Sequence, residues 1–574
     1  MKKGVLGCLL VLGVLLAFLI LVPVVVVTTS GPRPGSVLEL DLQGLILEER
    51  PDDFLSRLFL KKTPTLRDLL DAVAKAEADE RIAGIFARVG GSSLGWARVQ
   101  EVRERIQAFR DSGRWAVAYM ETAGEFSPGG LPYYLATAFD EIYFAPPGRL
   151  NLVGLRAEVP FLRGTLDLLR IEPDVDATGE YKTLRNYYTE TEFTPAHRES
   201  VEALLDSLYG QMLEGIAAER GMDEEEVGEK IDRGPFLAEE ALAEGFVDHL
   251  MYFDEVRKAL EAKSGGRLHL VKAERYVKRN RPGTRGRHRI ALIYGVGTIV
   301  WGESSYDPFA GEQFLGSETL GPALREARED SRVRAIVLRV DSPGGSALGS
   351  DLIRREAALA AEAKPLVVSI ADVGASGGFL ISAPAKKIVV EPATLTGSIG
   401  VFGGKMNVRG FYNMIGMTRG IASRGRNSGF FSLWQKFTPS EREAFERQLR
   451  GTYDAFLARV AEGRGLAIEE VDRLGQGRVY TGAEAVELGL ADEVGGLDLA
   501  VRRARELAGI PPAAAVRVQV FPRARTFFRA LRERDIRIPQ SLRAWARILG
   551  QLPAGEGAGP RPGDLVLPFP IGID

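Results

Sequence analysis

Cysteine and histidine are scarce in this chain of 574 residues: there is one cysteine, Cys8, and there are four histidines, His197, His249, His269 and His288. A single thiol forms no internal disulfide, so the fold depends on no oxidising compartment. No Cys/His cluster has metal-ligand spacing and no glycine loop has the phosphate-cradling pattern, so neither a metal nor a cofactor is expected. Charge of one sign is also lacking. The 74 Lys and Arg against 77 Asp and Glu leave a net −3, which gives no footprint for a nucleic-acid partner. Finally, no histidine follows residue 288. That excludes the nucleophile–acid–histidine order of the α/β-hydrolases for any serine in the second half.

What is present begins at the N-terminus. After Lys2 and Lys3, Gly4 to Val27 is an uncharged, largely apolar run of 24 residues. As a helix it would span about 36 Å at about 1.5 Å per residue, enough to cross a bilayer. It lacks a convincing small-x-small cleavage site, so residues 1–30 are expected to be an uncleaved signal anchor. The two lysines place the N-terminus in the cytoplasm and the rest of the chain outside.

The remainder is organised by an internal repeat. Phe236-Leu-Ala-Glu-Glu-Ala-Leu-Ala-Glu-Gly-Phe-Val-Asp248 matches Tyr480-Thr-Gly-Ala-Glu-Ala-Val-Glu-Leu-Gly-Leu-Ala-Asp492 at an offset of 244. At the same offset Thr194-Pro195 matches Thr438-Pro439, and Asp79 to Val89 matches Asp330 to Val340 at 251. Blocks in one order at nearly constant spacing read as a tandem duplication. The expected units are 37–262 and 289–508, joined by a polar linker at 278–288 and followed by a tail, 509–574. In the second copy, 290–294, 335–340, 366–370 and 387–390 have strand character, while 318–329, 352–362 and 440–462 have helical period. Such alternation predicts an α/β fold with a largely parallel sheet. The tail carries eight arginines between Arg523 and Arg547 interleaved with apolar residues, a basic amphipathic pattern suited either to anionic headgroups or to packing on the ectodomain. From Pro553 it is Pro/Gly-rich and reads as flexible.

Gly374-Ala-Ser376-Gly-Gly378 follows the apolar run Pro365 to Ala371. Glycines around a serine after a strand suit a nucleophile, since the chain must turn sharply and admit a substrate to the main chain. With no histidine downstream, a neutral, desolvated lysine is the remaining common base. Taken alone, Lys182 in Gly179-Glu-Tyr-Lys182 is one lysine among many. In the register that pairs Val153-Gly154 with Ile399-Gly400, however, Ser376 faces Gly130 and Lys182 faces Ser428. Each copy has one distinctive residue and lacks the other, and this complementary loss singles out both.

Asp341-Ser-Pro-Gly-Gly345, Gly374-Ala-Ser-Gly-Gly378, Leu395-Thr-Gly-Ser-Ile-Gly-Val-Phe402 and Gly179-Glu-Tyr-Lys182 together resemble the signal peptide peptidase A (protease IV) family in its long, tandem form. The resemblance runs from the anchor to about residue 508. It implies duplicated Clp-protease/crotonase-like domains, a Ser/Lys dyad of Ser376 (nucleophile) and Lys182 (general base), and a homotetramer on the outer face of the inner membrane. It also implies a single-pass membrane serine endopeptidase acting on leftover signal peptides and other apolar peptides. The sequence departs from the family after the lysine, where Thr183-Leu-Arg-Asn-Tyr-Tyr188 replaces Ser-Ala and Glu-Pro, so the wall beside Lys182 is altered.

An acyl transfer of this kind needs N–H donors for the oxyanion. Gly377, after the serine, and Gly344 or Gly345 in Asp341-Ser-Pro-Gly-Gly345 are best placed. The first copy reads Gly90-Gly-Ser-Ser-Leu94 at the latter position and has lost both pattern and nucleophile. Gly179 and Gly378 are supporting turn residues. Ser398 either positions the lysine amine or caps a turn, and Ser342 and Ser346 read as structural. Two other classes remain as alternatives: an inactive membrane scaffold of the same fold, and a crotonase-type acyl-CoA enzyme, which would need neither serine nor lysine.

Overall fold

The computed structural model describes residues 32–51, 60, 62–278, 286–307, 310–522 and, as backbone, 564–566. The expected anchor at 1–30 and most of the basic tail lie outside the described residues. Among those described, no helix is long and apolar enough to cross a membrane.

The fold is mixed α/β in two domains, each built on a parallel sheet. The first has six strands in the order His249–Leu250, Glu141–Phe144, Trp115–Met120, Ile82–Ser92, Ser36–Gly44, Leu270–Lys272. The second repeats this order with Glu493–Val494, Lys387–Val390, Leu366–Ala375, Val333–Ser342, His288–Val296 and Val516–Phe521. The central strands are buried on both faces, which is why they read as continuous apolar runs rather than alternating ones. Val333–Ser342 is the plainest case: Ala335, Ile336, Val337, Leu338 and Val340 are all inaccessible.

The helices keep the same symmetry. Pro195–Arg220 and Pro439–Arg464 are each 26 residues long. Both begin at a threonine cap with proline in the first turn, and both end at a left-handed glycine, Gly221 or Gly465. These are strong start and stop signals, since proline loses no helical hydrogen bond at N1 and glycine takes positive φ without strain. The second domain extends beyond 508, because Val516–Phe521 pairs in parallel with His288–Val296 at the sheet edge. It is the counterpart of Leu270–Lys272 in the first sheet, so the first part of the tail belongs to the core.

Two of the contacts that join the domains bear on the site. Glu172–Ala177 pairs antiparallel with Phe402–Asn407, from Ala177 opposite Phe402 to Glu172 opposite Asn407. The helix Trp96–Asp111 lays a buried polar face, including Gln100 and Glu101, against the second domain. Gln100 accepts from the Ala393 N–H at 2.8 Å, and Glu101 accepts from Arg339 at 2.6 Å and from the Leu497 N–H at 2.6 Å.

Glu391 is buried at this joint, beside the carboxyl of Glu104. Burial, then repulsion from Glu104 and Glu101, raises its pKa well above the ordinary value. The unfolded carboxyl ionises near pH ~4.3 while the folded one keeps its proton, so the native state binds more protons and stability falls as pH rises through that window. Glu391→Gln is therefore expected to raise Tm more at pH 8 than at pH 4, where most of the unfolded wild type is protonated as well. Equal Tm shifts at the two pH values would rule out a protonated Glu391.

Candidate active site

The strand Leu366–Ala375 delivers Ser376 into a sharp bend with φ 53° and ψ −117°, conformation that a side chain adopts only when its surroundings enforce it. The enforcement is local. The Ser376 N–H donates to the Gly397 carbonyl at 2.8 Å, and Val373 to Ala375 pair with Leu395 to Gly397. On the other side Gly378 packs on the Ser342 carbonyl so closely that any Cβ there would overlap it. Behind the strand, the Asp341 carboxylate accepts from the Val373 N–H at 3.1 Å. Asp372 accepts from the Gly95 and Arg98 N–H groups at 3.0 and 2.9 Å and pairs with the Arg98 guanidinium. The Ser376 strand is thus held from both domains.

Lys182 arrives from the other domain. The antiparallel pairing of Glu172–Ala177 with Phe402–Asn407 continues as Thr178 N–H to Val401 O at 2.8 Å. That leaves Lys182 a few residues beyond the pair and Ser398 a few residues before it, so the two meet. Lys182 Nζ lies 3.0 Å from Ser376 Oγ, 3.0 Å from Ser398 Oγ and 3.1 Å from the Ser398 carbonyl. All three side chains are inaccessible. Among the described residues no carboxylate bonds the amine, and burial alone pulls its pKa down to about 7. A lysine in this state is half neutral at neutral pH.

The structure thus gathers Ser376, Lys182 and Ser398, with Gly377 and Gly344 alongside. A Cβ on Gly377 would stand 3.3 Å from Gly344 Cα. Of the remaining glycines, Gly344 donates its N–H to Ser342 Oγ at 3.2 Å, and Gly345 lies opposite Ile299 in a parallel bridge. Gly179 does not reach the amine. It turns the chain at φ 89° three residues ahead of Lys182. Ser342 also donates to the Gly297 carbonyl, and Ser346 caps the helix Ala347–Ala363.

The altered wall beside Lys182 is aromatic. Tyr188 stacks on Phe402 at 6.2 Å, and Tyr187 packs near Phe161 and His197. His197, in the first turn of the helix Pro195–Arg220, is buried among Phe161, Phe193 and Tyr187, and that burial drops its pKa to about 4. Sequence reasoning missed the Arg98–Asp372 brace and the turn Gly475–Arg478, which touches the lysine backbone. The Gly-Gln-Gly pattern just before a repeated block was the available signal for the turn, because the first copy lacks it.

The chain is similar to known proteins. The pattern of peptidase family S49 matches residues 108–266 and 358–511. The chain is 35% identical to the chloroplastic serine protease SPPA of Arabidopsis thaliana, covering 83% of this chain and 70% of that one. It is 30% identical to protease 4 of Salmonella typhi, covering 87% and 84%, and 28% identical to protease 4 of Haemophilus influenzae, covering 86% and 83%.

Proposed function

The chain belongs to peptidase family S49 and is a serine peptidase, and from that membership we propose that Ser376 is its nucleophile and Lys182 its general base. The observation that carries this reading is the 3.0 Å approach of Nζ to Oγ in a buried site without a carboxylate partner. A neutral amine has two N–H bonds and one lone pair. The Ser398 carbonyl and hydroxyl can take the two N–H bonds, which leaves the lone pair for the Ser376 proton. Ser398 then positions the base rather than merely capping a turn.

Ser376 Oγ attacks the peptide carbonyl as Lys182 removes its proton. The oxyanion is met by the Gly377 N–H and by Gly345, or by Gly344 once its N–H leaves Ser342 Oγ, and Lys182 returns the proton to the leaving amine. Water activated by the same lysine then releases the acyl group. The substrate lies extended along Gly344–Ser346, as an added strand held by main-chain bonds. That edge already accepts an antiparallel segment, with Asp564 to Val566 opposite Ser346 to Gly344.

The duplicated Clp-protease/crotonase-like architecture, the anchor at 1–30 and an outward-facing site fit an endopeptidase that clears leftover signal peptides and other apolar peptides beside the membrane. Leu168, Ile415, Ile421 and Phe431 stand exposed, suited to burial between copies of a homotetramer. Labelling with a fluorophosphonate, which captures activated serines, tests the assignment. Wild type should be modified and Ser376→Ala should not; equal labelling of both would move the nucleophile elsewhere.

A further inference from the structure

Lys182 comes from the first domain, but its main chain rests on the second. Around it, the turn Gly475–Arg478 is interleaved with the two segments that define the amine site. The Tyr181 N–H donates to the Gln476 carbonyl at 2.8 Å, the Gly477 N–H to the Ile399 carbonyl at 2.9 Å, and the Ser398 N–H to the Arg478 carbonyl at 2.7 Å. No side chain fits at Gly477: a Cβ there would lie 2.5 Å from Lys182 Cβ and 2.6 Å from its Cα. Gly179 meets the turn from the opposite side, where a Cβ would lie 2.5 Å from Gln476 Cα.

Gln476 itself is left-handed, at φ 52°, an unfavourable conformation for a residue with a side chain. Its amide is tethered to compensate. Nε2 donates to Asp472 Oδ1 at 2.7 Å, and the Tyr453 hydroxyl donates to that same oxygen at 2.6 Å. On the solvent side Arg478 pairs with Glu199 at 2.7 Å and lies 5.0 Å over the Tyr181 ring, whose hydroxyl donates to Glu199 at 3.0 Å. The first copy reads Ile231-Asp-Arg-Gly234 at the corresponding place, and no lysine has to be seated there.

We propose that the turn Gly475–Arg478 is the seat of the base: Gln476 and Gly477 are positioning residues that set the depth and direction of Lys182 from the opposite domain. This rests on the reading of Lys182 as the base. The turn leaves the Gly344–Ser346 edge untouched, so disturbing it acts on the chemical step rather than on peptide binding.

The test is steady-state hydrolysis of an apolar fluorogenic peptide across pH by wild type, Gly477→Ala, Gln476→Ala, Gln476→Gly and Tyr453→Phe, with Lys182→Ala alongside. Misplacing a catalytic group by about 1 Å costs on the order of 10²-fold, so Gly477→Ala should lose about that much kcat with KM little changed. Gln476→Ala should lose about tenfold and move the acid limb of the pH profile upward, as the amine becomes better solvated. Gln476→Gly, which takes positive φ freely, should recover part of the loss. A role in folding alone would reduce the active fraction and leave the acid limb where it was, and that result overturns the proposal. So do wild-type kcat and acid limb in both Gln476→Ala and Gly477→Ala. If Gly477→Ala does not fold, Gln476→Ala and Tyr453→Phe decide. An active Lys182→Ala refutes the base assignment itself and is recognised separately from failure of the seat.

Discussion

Lys182→Met should lower kcat/KM for an apolar peptide by about 10² to 10⁴-fold, the usual worth of a general base, and should at the same time make the protein more stable. Methionine keeps the volume of the side chain and removes the amine. In wild type the amine must be neutral to accept the serine proton, so kcat/KM should rise with pH up to about 7 and level off above it. The stability effect follows from the same burial. The folded pKa of about 7 lies below the unfolded lysine's ~10.4, so the unfolded state binds more protons between these values. Wild type therefore loses stability as pH falls from ~10.4 towards 7, by an amount on the order of 4 kcal/mol, and Lys182→Met escapes that loss. Urea titrations at pH 7.5 beside pH–rate profiles check both halves. A lysine kept for structure would give the opposite pair of results: retained activity and a less stable variant.

That trade also explains why the proposed dyad stands out in the sequence. A lysine buried without a carboxylate has no structural use, so a copy whose lysine would face no serine discards it, as the second copy does at Ser428, the first having Gly130 where Ser376 stands. Ser376 is visible for a similar reason: its bend, with φ 53°, needs the surrounding glycines that the first copy no longer keeps. The parallel strands were legible as apolar runs, and the long helices by their Thr-Pro starts and Gly stops. The joint between domains was not. Helix Trp96–Asp111 buries Gln100 and Glu101, residues that read as solvent-facing until their partners in the second domain are known. Val516–Phe521 alternates as a strand, but the match between copies had already ended and its edge partner is more than two hundred residues away. The turn at Gln476 was marked only by its Gly-Gln-Gly pattern, and its approach to Lys182 runs through main-chain contacts that the pattern does not announce.

Arg339→Met should destabilise the protein by about 3–5 kcal/mol, the usual consequence of leaving a buried charge without its partner. Arg339 is wholly inaccessible and binds Glu48 at 2.8 Å, Glu101 at 2.6 Å and Ser369 Oγ at 2.7 Å. Both carboxylates belong to the first domain and the guanidinium to the strand Val333–Ser342 of the second, which leads into Gly344. Its pKa is raised, because attraction to the two carboxylates outweighs burial, so the cation is permanent. Removing it leaves Glu48 and Glu101 facing each other in the joint, and the domains that carry Ser376 and Lys182 lose their alignment together. Fluorophosphonate labelling of Ser376 should therefore fall at urea concentrations where wild type is still fully labelled. Adding Glu48→Gln and Glu101→Gln to Arg339→Met should restore much of the stability, since the cost lies in uncompensated charge rather than in lost attraction. If the single variant melts like wild type, the triad is solvated in solution and the joint is held by the strand pairing and by its other contacts, Gln100 with Ala393 and Arg98 with Asp372 among them. If the triple variant is as unstable as the single one, the guanidinium acts through its packing and its bond to Ser369, and charge balance is not what aligns the two halves of the site.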